Sequence, residues 1–248
     1  MAKRDKGRRK SEGDQSPLQK LGIEVPKIPE PPDPSESELR HLIRVRKTKR
    51  LHDARYNLLD SIDRLRHQGR RAELAQTLKE LGELERGLPD RDAPRRHYEE
   101  SVAIFRELGD PLGLAHTIRH LGDVHYNAGY VALAEPCYNE ALSLYRAEKE
   151  PPPLDLANAI RSLAVLKTDA GELEDARKLW REAYDLYVNV SVLSGVIECA
   201  TRLALISRGG GDTERSREWL KRAMSAADAS GDEDSARRIR EIRSSLDA

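Results

Sequence analysis

The chain has 248 residues, enough for one or two domains with a sizeable core, and its 43 basic residues balance 43 acidic ones, so no global charge field selects nucleic acid or an acidic ligand. Aromatics at 4% and charged residues at 35% argue against a β-sandwich and for long, solvated, amphipathic helices. Cys137 and Cys199 lack CxxC spacing, which argues against a disulfide framework or a cysteine-based zinc site and reads both as small buried apolar residues.

The opening segment MAKRDKGRRK is followed by polar residues instead of the apolar stretch of a signal peptide, and no apolar run approaches the ~20 residues of a membrane span. A soluble, cytoplasmic protein is expected. Residues 1–50 hold fourteen basic and eight acidic residues, a net +6 that leaves −6 for the remainder. Five prolines in VPKIPEPPDP (25–34) remove amide donors and force extended backbone, so residues 1–35 read as a disordered basic and proline-rich tail. Pro26–Pro29 forms a PxxP spacing that is an ordinary linker before it is a docking motif. The acidic residues between Glu24 and Glu38 form a tethered segment that is a candidate for occupying a groove within the same chain.

Residues 36–71 read as a degenerate helical hairpin, with a first helix over 35–50 and a second carrying Ala54, Leu58, Ser61, Ile62 and Leu65. From residue 72 to 230 the chain repeats. Leu81–Gly82, Leu121–Gly122, Leu163–Ala164 and Leu203–Ala204 follow one another at 40, 42 and 40 residues. Tyr98, Tyr138, Trp180 and Leu220 keep the same register, as do Ser101, Ala141, Ala183 and Ala223 and the turn residues Gly129, Gly171 and Gly211. Four columns in one register describe four helix pairs. A small residue sits where the second helix of a pair presses on the first, and stacking of successive pairs closes a core that no single pair can close. Residues 231–248, with Ile239, Ile242 and Leu246 on an otherwise charged surface, read as a capping helix. Pro136 falls near the start of a second helix, where a kink or a late helix start is expected.

Leu121–Gly122 with Ala134-x3-Tyr138, and the matching residues Leu81–Gly82 and Ala176-x3-Trp180, resemble the tetratricopeptide repeat pattern W-x2-L-G-x2-Y, A-x3-F, P. The Trp slot holds Leu78, Ile118, Ile160 and Ala200, the closing proline is missing, and the period is 40–42 instead of 34, as in the long-period members of the family. The resemblance covers about residues 72–228. It implies an all-α, right-handed superhelical solenoid of antiparallel helix pairs, whose first (A) helices line a concave groove.

The chemistry that remains is sparse. RGGGD (208–212) has no preceding strand and no following Lys-Ser/Thr, so it is a turn and not a phosphate loop. His116, His120 and Asp123 stand at i, i+4 and i+7, a spacing compatible with a divalent ion, but without HExxH or a visible general base they read as polar groove residues. No catalytic residue, metal or cofactor is expected. The resemblance implies a groove formed by Lys79, Glu83, His116, Arg119, His120, Asp123, Asn127, Asn158, Arg161 and Ser162. Lys79, Arg119 and Arg161 repeat at 40 and 42 residues; Lys79 and Arg119 have a carboxylate four residues on, whereas Arg161 has Val165, which marks it as the freest cation. An adaptor is expected, binding a protein or peptide segment, an acidic one being a candidate, with Asn127 and Asn158 meeting the partner's backbone. The alternative is a regulatory protein held to nucleic acid by residues 3–10. Chaperone carboxy-termini are not expected ligands, because Glu83 and Asp123 occupy the family's clamp positions for Asn and Val165 that for Arg.

Overall fold

The computed structural model describes residues 36–88, 90 and 92–246. The tail over 1–35 and the readings attached to it, namely disorder, nucleic-acid contact, PxxP docking and self-occupation of a groove, lie outside the described residues. Backbone contacts divide the chain into residues 1–48 and 49–248. Of the first unit, only residues 36–48 are described, and they are helical.

The described residues contain ten helices and no strand: α1 Glu36–Gln68, α2 Arg71–Glu85, α3 Asp92–Leu108, α4 Pro111–Asn127, α5 Val131–Ala147, α6 Pro153–Asp169, α7 Leu173–Asn189, α8 Leu193–Gly209, α9 Thr213–Ser230 and α10 Glu233–Ser244. None is long and apolar enough to cross a membrane. Helices α2 and α3, α4 and α5, α6 and α7, and α8 and α9 pack as consecutive antiparallel pairs, and each pair packs on the next. Helix α10 lies against α9. The architecture is the expected solenoid of helix pairs.

The repeated columns are its core. Leu81, Leu121, Leu163 and Leu203 are buried, and so are Tyr98, Tyr138, Trp180 and Leu220. Ser101, Ala141, Ala183 and Ala223 are fully enclosed, the Ser101 hydroxyl donating to the Ala75 carbonyl at 2.7 Å. Gly122 shows why that slot is small: a Cβ there stands 2.7 Å from the Tyr138 ring, and at Gly82 it stands 2.9 Å from the Tyr98 ring. Where the facing residue becomes Trp180 or Leu220, Ala164 and Ala204 are accommodated. Cys199 is buried as expected, whereas Cys137 is half-buried against the Gly122 backbone.

Seven of the turns between the described helices share one backbone device, a single residue in the left-handed region. Gly129, Gly171 and Gly211 take φ of 82°, 77° and 79° within the pairs, the last of them inside the RGGGD turn. Between pairs the same left-handed position is held by Gly69, Gly109 and Gly231, and by Ser191 at φ 57°. Asp110, Asp212 and Asp232 cap α4, α9 and α10 by accepting backbone N–H bonds from Gly113, Arg215 and Ser235.

Two expectations are corrected. The hairpin over 36–71 does not form: α1 is helical through residues 49–54, where the turn was required, because neither glycine nor proline occurs between Glu36 and Gln68. Pro136 neither delays nor ends its helix; α5 starts at Val131 and continues past it, so the Ala132 carbonyl loses its helical donor within the second turn. The end of α1 joins the core through Ile62 and Leu65. It is also tied by Arg55, whose Nε donates to the buried carboxylate of Glu85 at 2.6 Å, while His97 Nε2 stands 3.1 Å from the other oxygen.

Candidate functional site

Every second helix (α2, α4, α6, α8) turns a polar strip away from the core, and those of α2, α4 and α6 meet around Asp123, while α8 joins through Glu198 and Arg161. Its Oδ1 accepts from the Tyr138 hydroxyl at 2.9 Å and from the Ser162 hydroxyl at 3.2 Å. Its Oδ2 accepts from Arg119 Nη1 at 3.2 Å and faces Arg86 Nη1 at 3.5 Å. One carboxylate thus joins α4 to α5, to α6 and to the end of α2. Burial alone raises the Asp123 pKa, but the His120 ring 3.7 Å away and the charges of Arg119 and Arg86 outweigh it and leave the group below its ordinary value.

His120 lies beside this carboxylate, buried and stacked on Tyr98 with ring centroids 5.7 Å apart. Burial pushes its pKa down to about 4, against the nearby Asp123 carboxylate, so the ring is neutral at physiological pH. Its Nε2 is 3.1 Å from His116 Nε2 and 3.3 Å from Glu83 Oε1, and the contact with His116 holds the Glu83 carboxyl below its usual value against partial burial.

The expected site residues separate into three groups. Glu83, His116, Arg119, His120, Asp123 and Ser162 form one connected network. Asn127 is exposed at the end of α4, and Asn158 is half-buried, its side-chain oxygen accepting from the Tyr187 hydroxyl at 2.7 Å. Lys79 is half-buried on α2, close enough to Glu83 to favour its ionised form.

The reading of the cations is corrected. Arg161 is not free: its Nε donates to Glu198 Oε2 at 2.6 Å, and although burial opposes its charge, that carboxylate raises its pKa. Arg119 is buried, not solvated. The sequence reading did not single out Arg86, Asp155 or Glu198, and it read Tyr98 as a core column residue only. Glu198 was findable, since it lies 40 residues after Asn158 and therefore faces Arg161 from the next A helix; a search for partners four residues away does not reach it.

A cleft of about 170 Å³ opens beside the network, lined by Asp123, Tyr126, Asn127, Arg161, Ser162 and Val165 together with Arg86 and Tyr138. Half-exposed apolar surface there adjoins donors and acceptors fixed by packing.

Stacked antiparallel helix pairs with a polar strip on alternate helices define a helical-repeat protein. The tetratricopeptide repeat family model matches residues 156–191, which span α6 and α7. No curated protein sequence matches the chain. Among solved structures, BtubC (BKLC) from P. vanneervenii is similar with a TM-score of 0.60 and 17% identity, over 80% of this chain and 92% of that one. The apo form of the quorum sensor NprR from B. thuringiensis is similar with a TM-score of 0.63 and 14% identity, over 79% and 55%. A Rap protein complexed with Competence and Sporulation Factor gives 0.61 and 15%, over 76% and 54%. This chain spans about half the length of the latter two. At these identities the likeness is one of fold.

Proposed function

We propose that the A-helix face of residues 49–248 holds a segment of a partner protein and that the chain acts as an adaptor, by binding and not by catalysis. The observation that carries this reading is the cleft beside Asp123, where Asn127 is exposed, Tyr126 and Val165 present half-buried apolar surface, and Arg161 and Ser162 are held in place by α8 and α4 respectively. An extended polypeptide offers both the amide groups and the side chains such a surface pairs with. A similar fold in the Rap protein is complexed with Competence and Sporulation Factor, which supports the use of this architecture for recognition.

The cations do not favour an acidic partner, because Arg119 and Arg161 are already paired with Asp123 and Glu198. A segment of mixed polar and small apolar residues fits the cleft better. Replacing exposed Asn127 by Arg fills its mouth without touching the core, so stability should change by less than about 0.5 kcal/mol. Affinity for a partner recovered by affinity purification should fall by roughly tenfold or more. Titration of that partner into the parent and N127R proteins checks the reading, and equal affinities would locate the binding surface elsewhere.

A further inference from the structure

Three ligand atoms converge on one point in the polar network. His116 Nε2 and His120 Nε2 are 3.1 Å apart, and Glu83 Oε1 lies 3.6 Å from the first and 3.3 Å from the second. A point equidistant from three atoms so spaced lies about 2 Å from each, the bond length of zinc to imidazole nitrogen and carboxylate oxygen. We propose that Glu83, His116 and His120 bind a zinc ion, or another divalent transition ion that prefers imidazole, with water as the fourth ligand.

The two histidines are one helical turn apart on α4, and Glu83 comes from α2, the A helix of the preceding pair, so the packing of pairs assembles the site. Carboxylates stand behind both rings. His116 Nδ1 faces Asp155 Oδ1 at 3.5 Å, and His120 Nδ1 faces Asp123 Oδ2 at 3.7 Å. That is the placement which orients ligating imidazoles and raises their basicity. Glu83 is the exposed member, with 40% of its side chain accessible, and gives the ion an entry path.

The network is also unevenly satisfied without an ion. Arg119 Nη2 lies 2.8 Å from His120 Nε2 and Arg86 Nη1 lies 3.0 Å from His120 Nδ1, yet a neutral imidazole accepts on one nitrogen only. The buried Arg119 Nε has no partner among the described residues. Arg119 therefore competes with the ion for the Nε2 lone pair, and on yielding it keeps Asp123 through Nη1; Nδ1 then carries the proton, and Arg86 must turn from it to Asp123 Oδ2, 3.5 Å from the same Nη1. Lys79, Arg86 and Arg119 balance Glu83, Asp123 and Asp155 in formal charge. Affinity must then come from nitrogen ligation and not from a negative field, which selects zinc, cobalt or nickel over calcium and magnesium.

The inference needs no partner and stands apart from the groove reading. Untagged, chelator-treated full-length chain is titrated calorimetrically with zinc chloride, and the cobalt(II) complex is followed by visible absorption. One equivalent should bind, with no heat from calcium or magnesium. His116→Ala and Glu83→Gln, both at accessible positions, should weaken zinc binding at least tenfold while circular dichroism stays unchanged, and Asp155→Asn should weaken it by roughly 10-fold. Arg119→Met should tighten it. Absence of saturable zinc binding at millimolar concentration, or an equivalent bound with the same affinity by folded H116A and E83Q proteins, would overturn the proposal.

Discussion

Gly122 and Ser191 are small residues with opposite consequences. At Gly122, added methyl volume meets the Tyr138 ring at 2.7 Å and Cys137 Cβ at 3.1 Å, and the ring is held by its hydroxyl bond to Asp123. Gly122→Ala should therefore destabilise by about 1–2 kcal/mol, overpacking outweighing the ~1 kcal/mol that alanine gains over glycine in a helix. Ser191 holds a left-handed conformation that Gly69, Gly109 and Gly231 supply elsewhere. Ser191→Gly should stabilise by roughly 0.5–1 kcal/mol, relief of strain exceeding the entropy glycine adds to the unfolded chain. Urea melts of the two variants check both signs. The packing residue was legible because its column recurs at a fixed period. The strained serine was not: a glycine column with one serine in it looks like drift until backbone angles are known.

At the scale of the element, helices of successive pairs are joined by a second periodic device. Arg66 pairs with Glu100, Arg106 with Glu140 and Arg146 with Glu182, at 2.8, 2.7 and 2.9 Å, linking the ends of α1, α3 and α5 to α3, α5 and α7 in turn. The ladder stops where Val188 and Arg222 occupy the next positions. These pairs are near half exposed, so each contributes only ~0.2–1 kcal/mol and weakens as salt rises. Arg66→Gln, Arg106→Gln and Arg146→Gln combined should lower stability by about 1–3 kcal/mol at low salt and by less than half of that near molar salt. Urea melts at the two salt concentrations measure the difference, and a salt-independent loss would mean the arginines act through packing of their stems. The partners are 34 to 36 residues apart, so this ladder, like the Arg161–Glu198 pair, escapes a search confined to one helix and is reached only by stepping along the repeat period. The hairpin reading of 36–71 failed for a related reason: a weak echo of the apolar columns was given more weight than the absence of a helix breaker.

Across residues 49–248, the same period that packs the core also stacks the polar strips of α2, α4, α6 and α8 into one surface. The sequence carried that period, and with it the fold and most of the network around Asp123. It did not carry the distances between strips, which decide that Arg119 and Arg161 are neutralised internally and that Glu83 joins the two histidines in place of Asp123. The central claim is that the A-helix face is where a partner binds. Site-specific photo-crosslinking tests it most directly, with a photoreactive residue at Asn127 on the end of α4 and, separately, at Lys178, whose side chain is 76% exposed on α7, the second helix of its pair. With purified partner at equal concentrations, an adduct should form from position 127 and be competed by unlabelled chain, while position 178 gives none. An adduct from position 178 with none from position 127 would contradict the account.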